Sequence, residues 1–115
     1  MSEPPEFVRA CAVSDVPDEG AIGIHVDGQP VAIVRTGGEV FALRDVCSHA
    51  DLCLSEGDVD GYTIECPAHG SRFDVRTGKV SRFPARKPVE VYPVRIDGQE
   101  VLVSLSPRTA LIPQE

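Results

Sequence analysis

Turn-forming residues divide this chain of 115 residues into short apolar stretches. Ten glycines and ten prolines recur along the chain, and no long apolar pattern of helical period lies between them. Apolar and β-branched residues instead alternate between the turns, which is typical of strands with one buried face. The predicted strands are residues 7–13, 21–26, 30–35, 39–46, 62–66, 71–75, 89–96 and 100–106. About eight short strands with tight turns predict an all-β fold, either an antiparallel sandwich or a small barrel.

Three dipeptides between these strands are hairpin signals. Asp27-Gly28, Gly37-Gly38 and Asp97-Gly98 each separate two apolar runs. Two-residue hairpin loops of type I′ need positive φ at both central positions, and Asp and Gly adopt such angles readily. We therefore expect antiparallel hairpins at these three positions.

The length of the chain suits a single domain over residues 1–115, with its core at about 7–105. The tail 106–115 has no clear period, which is typical of a loosely docked or disordered terminus. The first ten residues are acidic, contain proline and lack an apolar run. We therefore expect neither a signal peptide nor a membrane anchor, and we predict a cytoplasmic protein whose thiols stay reduced.

The net charge of −7 argues against nucleic acid or an anionic membrane as a partner. This charge is unevenly distributed along the chain. Residues 45–65 contain six acids and no base, whereas residues 72–87 contain six bases and one acid. The two segments either neutralise each other within the fold or form a docking surface of mixed sign.

Residues 47–71 hold three of the four cysteines and two of the three histidines. Cys47 and His49 are separated by one residue, and Cys66 and His69 by two. Each pair lies in a loop that follows a predicted strand. Two loops that each present one thiolate and one imidazole can meet and close a four-ligand metal site.

Two kinds of metal site agree with these four residues. Zinc readily takes two cysteines and two histidines, and the spacing does not exclude a mononuclear site. A [2Fe–2S] cluster with two cysteines on one iron and two histidines on the other is the alternative. That cluster requires each loop to span both metals, and a mixed Cys/His pair in each loop fits this requirement. The residues alone leave both kinds of site open.

The same stretch resembles the Rieske iron–sulfur family, whose two boxes read C-x-H and C-x-x-H. CPAHGSRFDVRTGKV matches the second box and its continuation, and Leu54-Ser55-Glu56-Gly57 matches the segment after the first box. The resemblance implies a small antiparallel β-sandwich with a cluster-binding subdomain formed by two loops, which holds one [2Fe–2S] cluster. By the same resemblance, Cys47 and Cys66 bind the buried iron, and His49 and His69 bind the outer iron.

The chain departs from the high-potential members of this family. Ala68 stands where those members have a cysteine that bridges the two loops, and Cys53 lies one residue late for its partner. We therefore expect Cys53 to be unpaired and partly buried. Phe73 replaces a tyrosine whose hydroxyl group donates to a ligand sulfur. Fewer hydrogen bonds to sulfur predict a reduction potential in the lower part of the family range of about −150 to +300 mV.

Two further residues resemble the surroundings of the cluster in this family. Ser71 follows the second box and could donate to a bridging sulfide. Pro84 resembles part of a third loop that covers the cluster. Both are therefore expected next to the cluster, although neither would bind the metal.

Only His25 remains once His49 and His69 are assigned, so the chain lacks the two additional histidines of a mononuclear iron site. The resemblance therefore implies a one-electron carrier that is not itself an enzyme. It implies transient contact with a flavin-dependent ferredoxin reductase and with a terminal oxygenase of the aromatic-ring-hydroxylating kind. The alternatives are an accessory protein of iron–sulfur cluster assembly and the small subunit of a nitrite reductase. Members of the latter group often lack the ligands.

Overall fold

The computed structural model describes residues 7–46, 53–67, 70–82 and 89–105. Their strands pair only in antiparallel ladders, which confirms the predicted all-β antiparallel fold. None of the helices in these residues is both long and apolar enough to cross a membrane. The elements are β1 (Phe7–Ala12), a 3₁₀ helix (Val13–Asp15), β2 (Gly20–Val26), β3 (Gln29–Thr36), β4 (Glu39–Arg44), a second 3₁₀ helix (Leu54–Glu56), β5 (Val59–Asp60), β6 (Thr63–Glu65), β7 (Arg72–Asp74), β8 (Val80–Arg82), β9 (Val91–Tyr92), β10 (Val94–Asp97) and β11 (Glu100–Ser104).

These strands form three sheets. The outer sheet has the strand order β1-β11-β10, the central sheet β2-β3-β4-β9, and the small sheet β5-β6-β7-β8. The central sheet lies between the other two, and one hydrophobic cluster fills each of its faces. The small sheet, which carries the second Cys/His box, is therefore attached to one face of a two-sheet sandwich.

Strand β3 shows how the central sheet joins the two clusters. Val31 and Ile33 pack in the cluster shared with the outer sheet, whereas Ala32 and Val34 pack in the cluster shared with the small sheet. All four side chains are fully buried. Successive residues of a strand point to opposite faces, so a strand buried on both faces is a continuous apolar run. The run VAIV is such a sequence.

Two of the structure's strands were not predicted, and one predicted strand is divided. β5 and β8 are short and were not recognised in the sequence. The predicted strand 89–96 is instead β9 and β10, which belong to different sheets. Pro93 lies between them and has no N–H group to donate to a ladder, while its carbonyl accepts from the Ser104 N–H (3.1 Å). The chain therefore changes sheets at this proline.

Two of the three predicted hairpin turns are confirmed. Asp27 and Gly28 have φ of 50° and 80°, and Gly37 and Gly38 have 61° and 77°. The third hairpin is shifted by one residue, because Asp97 pairs with Glu100 and the loop is therefore residues 98–99. The predicted tail 106–115 lies outside the described residues.

A buried hydroxyl group links the central sheet to the small sheet. Thr36 Oγ1 lies 2.7 Å from the carbonyl oxygen of Gly61 and 2.9 Å from Oε1 of Glu19. Glu19 Oε2 accepts a hydrogen bond from the Gly37 N–H (2.9 Å). This backbone hydrogen bond, together with that from Thr36, lowers the pKa of Glu19 below its usual 4.5.

The sign of this pKa shift predicts how acid affects stability. Because the folded pKa of Glu19 is lowered, its contribution is complete above the unfolded pKa and is lost as the pH falls through the folded value. We expect Glu19→Gln to be less stable than the parent at neutral pH and the difference to shrink as the pH falls below about 4.5. Urea unfolding between neutral pH and about pH 3 measures this difference, and Asp18→Asn, which removes the neighbouring exposed carboxyl group, is the matched control. A difference that does not depend on pH would contradict the assignment.

Candidate metal centre

The hairpin of β6 and β7 presents the second Cys/His box. Beyond the last ladder pair, Glu65 with Arg72, the Cys66 N–H donates to the carbonyl oxygen of Ser71 (2.6 Å). The Gly70 N–H then donates to the carbonyl oxygen of Cys66 (3.2 Å). Gly70 has φ of 80°, a left-handed conformation that glycine adopts without strain. These bonds close a tight loop with Cys66 and Ser71 at its base.

Both residues at the base of this loop are buried. Cys66 is 1% exposed and packs in the hydrophobic cluster with Leu54, Ile64 and Phe73. Ser71, whose carbonyl oxygen accepts from the Cys66 N–H, is also fully buried. A buried cysteine within an apolar shell fits the needs of a metal ligand, because the shell around a site controls solvent access.

The other predicted site residues cannot be located in the same way. Cys47, His49, His69 and Pro84 lie outside the described residues, as does Ala68. Their assignment therefore stays a prediction. The structure does, however, describe the residues on either side of each of these segments.

A buried carboxyl group joins the residues that flank the first Cys/His box in the sequence. Asp45 follows β4 and is 4% exposed. Its Oδ1 accepts from the Ser55 N–H (2.7 Å), and its Oδ2 accepts from the Ser55 hydroxyl (2.7 Å). Asp45 and Ser55, which lie on either side of the first Cys/His box in the sequence, are thereby held together. Sequence reasoning did not predict this contact, although Ser55 belongs to the segment that matched the family.

The end of the first loop packs against the start of the second. A Cβ atom on Gly57 would lie 1.5 Å from the carbonyl oxygen of Glu65, so only glycine fits there. The Glu65 N–H donates to the carbonyl oxygen of Asp58 (2.8 Å). Because Glu65 directly precedes Cys66, these contacts bring the two loops together at one end of the small sheet.

Strand β8, which precedes the segment that contains Pro84, ends at the same end of the small sheet. In the ladder between β7 and β8, Arg82 lies opposite Arg72, which follows Ser71. β8 therefore ends near the base of the loop of Cys66. Residues 83–88, which contain Pro84, lie outside the described residues. The Val89 N–H, where the description resumes, donates to the carbonyl oxygen of Gly78 (2.9 Å).

The acidic and basic segments are only partly paired. Glu65 Oε1 and Arg72 Nη2 form an ion pair (2.8 Å), and in the described part of the chain it is the one ion pair between these segments. Arg76 instead pairs with Asp74 of its own segment and lies over the ring of Tyr62, 4.4 Å from the centroid. The acidic and basic segments therefore neutralise each other at one ion pair among the described residues. A docking surface of mixed sign stays a prediction.

Cys53 differs from the expectation of partial burial, because the structure places it on the surface. It takes part in no disulfide. The Asp45 carboxylate, partial desolvation and Glu56 raise the pKa of the Cys53 thiol above its usual 9.0. A thiol that stays protonated is a poor nucleophile and a poor metal ligand, which agrees with a cysteine outside the site.

Comparison with known proteins identifies the family. Residues 6–93 match the Rieske [2Fe-2S] domain, and the chain belongs to this family. It is 47% identical over 106 residues to the biphenyl dioxygenase ferredoxin subunit of Pseudomonas sp. (strain KKS102). That match covers 91% of this chain and 96% of the relative. The family supports an iron–sulfur cluster, which decides between the two metal sites that the residues left open.

Solved structures agree with this assignment. The ferredoxin of carbazole 1,9a-dioxygenase from Nocardioides aromaticivorans IC177 has a TM-score of 0.82 and 39% identity, over 85% of this chain and 96% of that one. The complex of reduced oxygenase and oxidized ferredoxin in carbazole 1,9a-dioxygenase has a matching chain with a TM-score of 0.83 and 35% identity, over 89% and 95%. A putative nitrite reductase small subunit from Mycobacterium tuberculosis has a TM-score of 0.79 and 25% identity, over 95% and 100%.

The contact between Asp45 and Ser55 generates a prediction about stability. Ser55→Ala leaves Oδ2 of a buried carboxyl group without its 2.7 Å hydroxyl partner. We expect the free energy of unfolding to fall by about 1–3 kcal/mol, because a buried acceptor is left without a hydrogen-bond partner. Urea unfolding followed by circular dichroism measures this change.

Ser14→Ala serves as the control, because Ser14 is exposed on the first 3₁₀ helix. The iron content of both variants, measured during exposure to a chelator, provides a second observable. If Asp45 and Ser55 hold the first ligand loop in place, Ser55→Ala loses iron faster than Ser14→Ala. Equal stability of the two variants would show that this contact does not close the loop.

Proposed function

We propose that this chain is the ferredoxin component of an aromatic-ring dioxygenase system. It would carry single electrons and leave the oxidation of the substrate to another protein. The observation that carries the proposal is the near full-length similarity to the biphenyl dioxygenase ferredoxin subunit. The buried cysteine at the base of a tight hairpin loop agrees with it.

We infer that Cys47, His49, Cys66 and His69 hold one [2Fe–2S] cluster, with Ser71 and Pro84 next to it. The burial of Cys66 and the packing of residues 53–58 against the end of β6 support this set. When bound, such a cluster accepts and releases one electron. We also infer that residues 1–115 form a single domain around this site.

The contribution of the chain is to hold the ligand loops in a fixed arrangement. The apolar cluster around Cys66 excludes water from that ligand. The hydrogen bonds between Asp45 and Ser55 and the close contact between Gly57 and Glu65 fix the ends of the loops. Fixed ligands reduce the structural change that accompanies electron transfer, since neither loop has to rearrange.

The partners follow from the proposed function. A related structure is a complex of reduced oxygenase and oxidized ferredoxin, which supports a terminal oxygenase as the electron acceptor. A flavin-dependent reductase would supply the electron in the cytoplasm. Both contacts would be transient, and the net charge of −7 disfavours nucleic acid and anionic membranes as partners.

The nitrite reductase small subunit remains a second candidate, because the putative subunit from Mycobacterium tuberculosis has the same fold. Its 25% identity is lower than the 47% shared with the dioxygenase ferredoxin subunit. The intact Cys47, His49, Cys66 and His69 also count against this function.

Purification under anaerobic conditions, followed by visible and EPR spectroscopy, tests the ligand set. We expect two irons per chain and a Rieske-type EPR signal after reduction. Cys66→Ser should lose both, whereas the matched Cys53→Ser should keep both because Cys53 is exposed and outside the proposed set. Zinc without iron in the parent, or an unchanged signal in Cys66→Ser, would refute the proposal.

Rapid mixing of the reduced protein with an oxidised aromatic-ring oxygenase tests the function itself. Reoxidation of the carrier at a rate that increases with oxygenase concentration is the expected result. A protein that shows the EPR signal but transfers electrons only to a nitrite reductase large subunit would establish the second candidate instead.

Phe73 generates a prediction about the reduction potential. It is fully buried in the cluster that contains Cys66, and in the high-potential members a tyrosine stands at this position. Phe73→Tyr should raise the potential, because a hydrogen bond to a ligand sulfur stabilises the reduced form. A bond of about 1 kcal/mol corresponds to about 40 mV for one electron. Redox titration of Phe73→Tyr beside a Phe7→Tyr control in the outer sheet measures this shift, and equal potentials would contradict the role of position 73.

A further inference from the structure

Strand β10 forms one edge of the outer sheet. The strand order β1-β11-β10 gives it a single neighbour among the described strands. Arg95, Ile96 and Asp97 are exposed in succession. Ile96 is 46% exposed, and within the described ranges it is the one large hydrophobic residue classed as exposed. An unpaired strand edge offers N–H and C=O groups to a further strand.

The ladder with β11 shows on which face each of these side chains lies. Ile96 is opposite Val101, which is buried in the core, so Ile96 lies on the core-facing side of the sheet. Arg95 and Asp97 lie on the other side. Asp97 is directly opposite Glu100, a like charge, and Glu100 forms its ion pair with Arg9 of β1.

The order of charges along β10 is self-complementary. If a second copy pairs antiparallel about Ile96, Arg95 of each copy lies opposite Asp97 of the other. Ile96 then lies opposite Ile96 of the second copy. Opposite charges in directly opposed positions stabilise antiparallel pairs, and Asp97 would gain the cation that β11 does not provide. Charges on an edge usually prevent pairing, but an alternating Arg and Asp does not repel its own copy.

We propose that the edge of β10 is a homodimer interface, in which two copies pair antiparallel about Ile96. Pairing of two four-residue strands buries far less than about 1,200 Å², so the dimer is weak and reversible. The net charge of −7 on each chain opposes association, and salt at physiological concentration screens this repulsion.

The location of β10 gives the dimer a functional consequence. The outer sheet and the small sheet pack on opposite faces of the central sheet. Pairing through β10 therefore does not involve the small sheet, which carries Cys66, in either copy. Such a dimer would present two separate sites to its partners, and it does not depend on the proposed electron-transfer function.

Charge reversal tests this interface by sedimentation velocity of the holoprotein over a range of concentrations. The parent should show a reversible monomer–dimer equilibrium. Arg95→Asp and Asp97→Arg each place like charges opposite each other and should raise the Kd by at least about tenfold. An equimolar mixture of these two variants should form a heterodimer, because each supplies the charge that opposes the other. A single chain that carries both reversals should dimerise like the parent.

Controls separate this interface from a general effect of charge. Asp18→Arg and Lys79→Asp make the same changes in net charge at exposed positions outside β10, and both should dimerise like the parent. Thermal unfolding of each variant checks that it is folded. A monomeric parent, single variants that dimerise like the parent, or a mixture that stays monomeric would overturn the proposal. Arg95 lies over the Phe7 ring, so Arg95→Asp loses this contact and its fold is at risk. Asp97→Arg keeps the contact. If Arg95→Asp does not fold, unchanged dimerisation of Asp97→Arg would by itself overturn the proposal.

Discussion

Burial of both faces of the central sheet is the constraint on which the rest of this structure depends. β3 contributes consecutive side chains to two hydrophobic clusters, so the outer sheet and the small sheet are packed through the same strand. If a strand that is buried on both faces shifted its register by one residue, each of its side chains would move to the opposite hydrophobic cluster. The position of the small sheet, and of Cys66 on it, is therefore set by the core of the sandwich.

The loop of Cys66 is held on the small sheet by main-chain contacts. The hydrogen bonds that close the loop of Cys66 are made by the main chain, and Gly57 allows the first loop to approach the carbonyl oxygen of Glu65. Hydrogen bonds between Asp45 and Ser55 hold together the residues on either side of the first Cys/His box. The proposed ligands belong to two separate segments and would need such support, because a metal site tolerates little error in ligand position.

The charges of the protein serve different purposes in different sheets. In the small sheet, Arg72 and Arg76 pair locally with Glu65 and Asp74, and the nearby guanidinium of Arg76 lowers the pKa of Asp74. In the outer sheet, Arg95 and Asp97 lie exposed on an edge strand. The net charge of the protein does not show this difference, because it does not indicate which arginine side chains form ion pairs.

Sequence patterns predicted much of this protein because alternation, turns and ligand spacing are local properties. The strands β2, β3, β4 and β11 and the turns at Asp27 and Gly37 are close to their predicted places, and the two Cys/His boxes indicated the family through their spacing and their flanking residues. The tertiary structure alone decided three features: the change of sheet at Pro93, the burial of Asp45 against Ser55, and the exposure of Cys53. Each depends on which distant segment packs beside a residue. The alternation of residues along a strand shows which face is apolar, but it does not show what will cover that face.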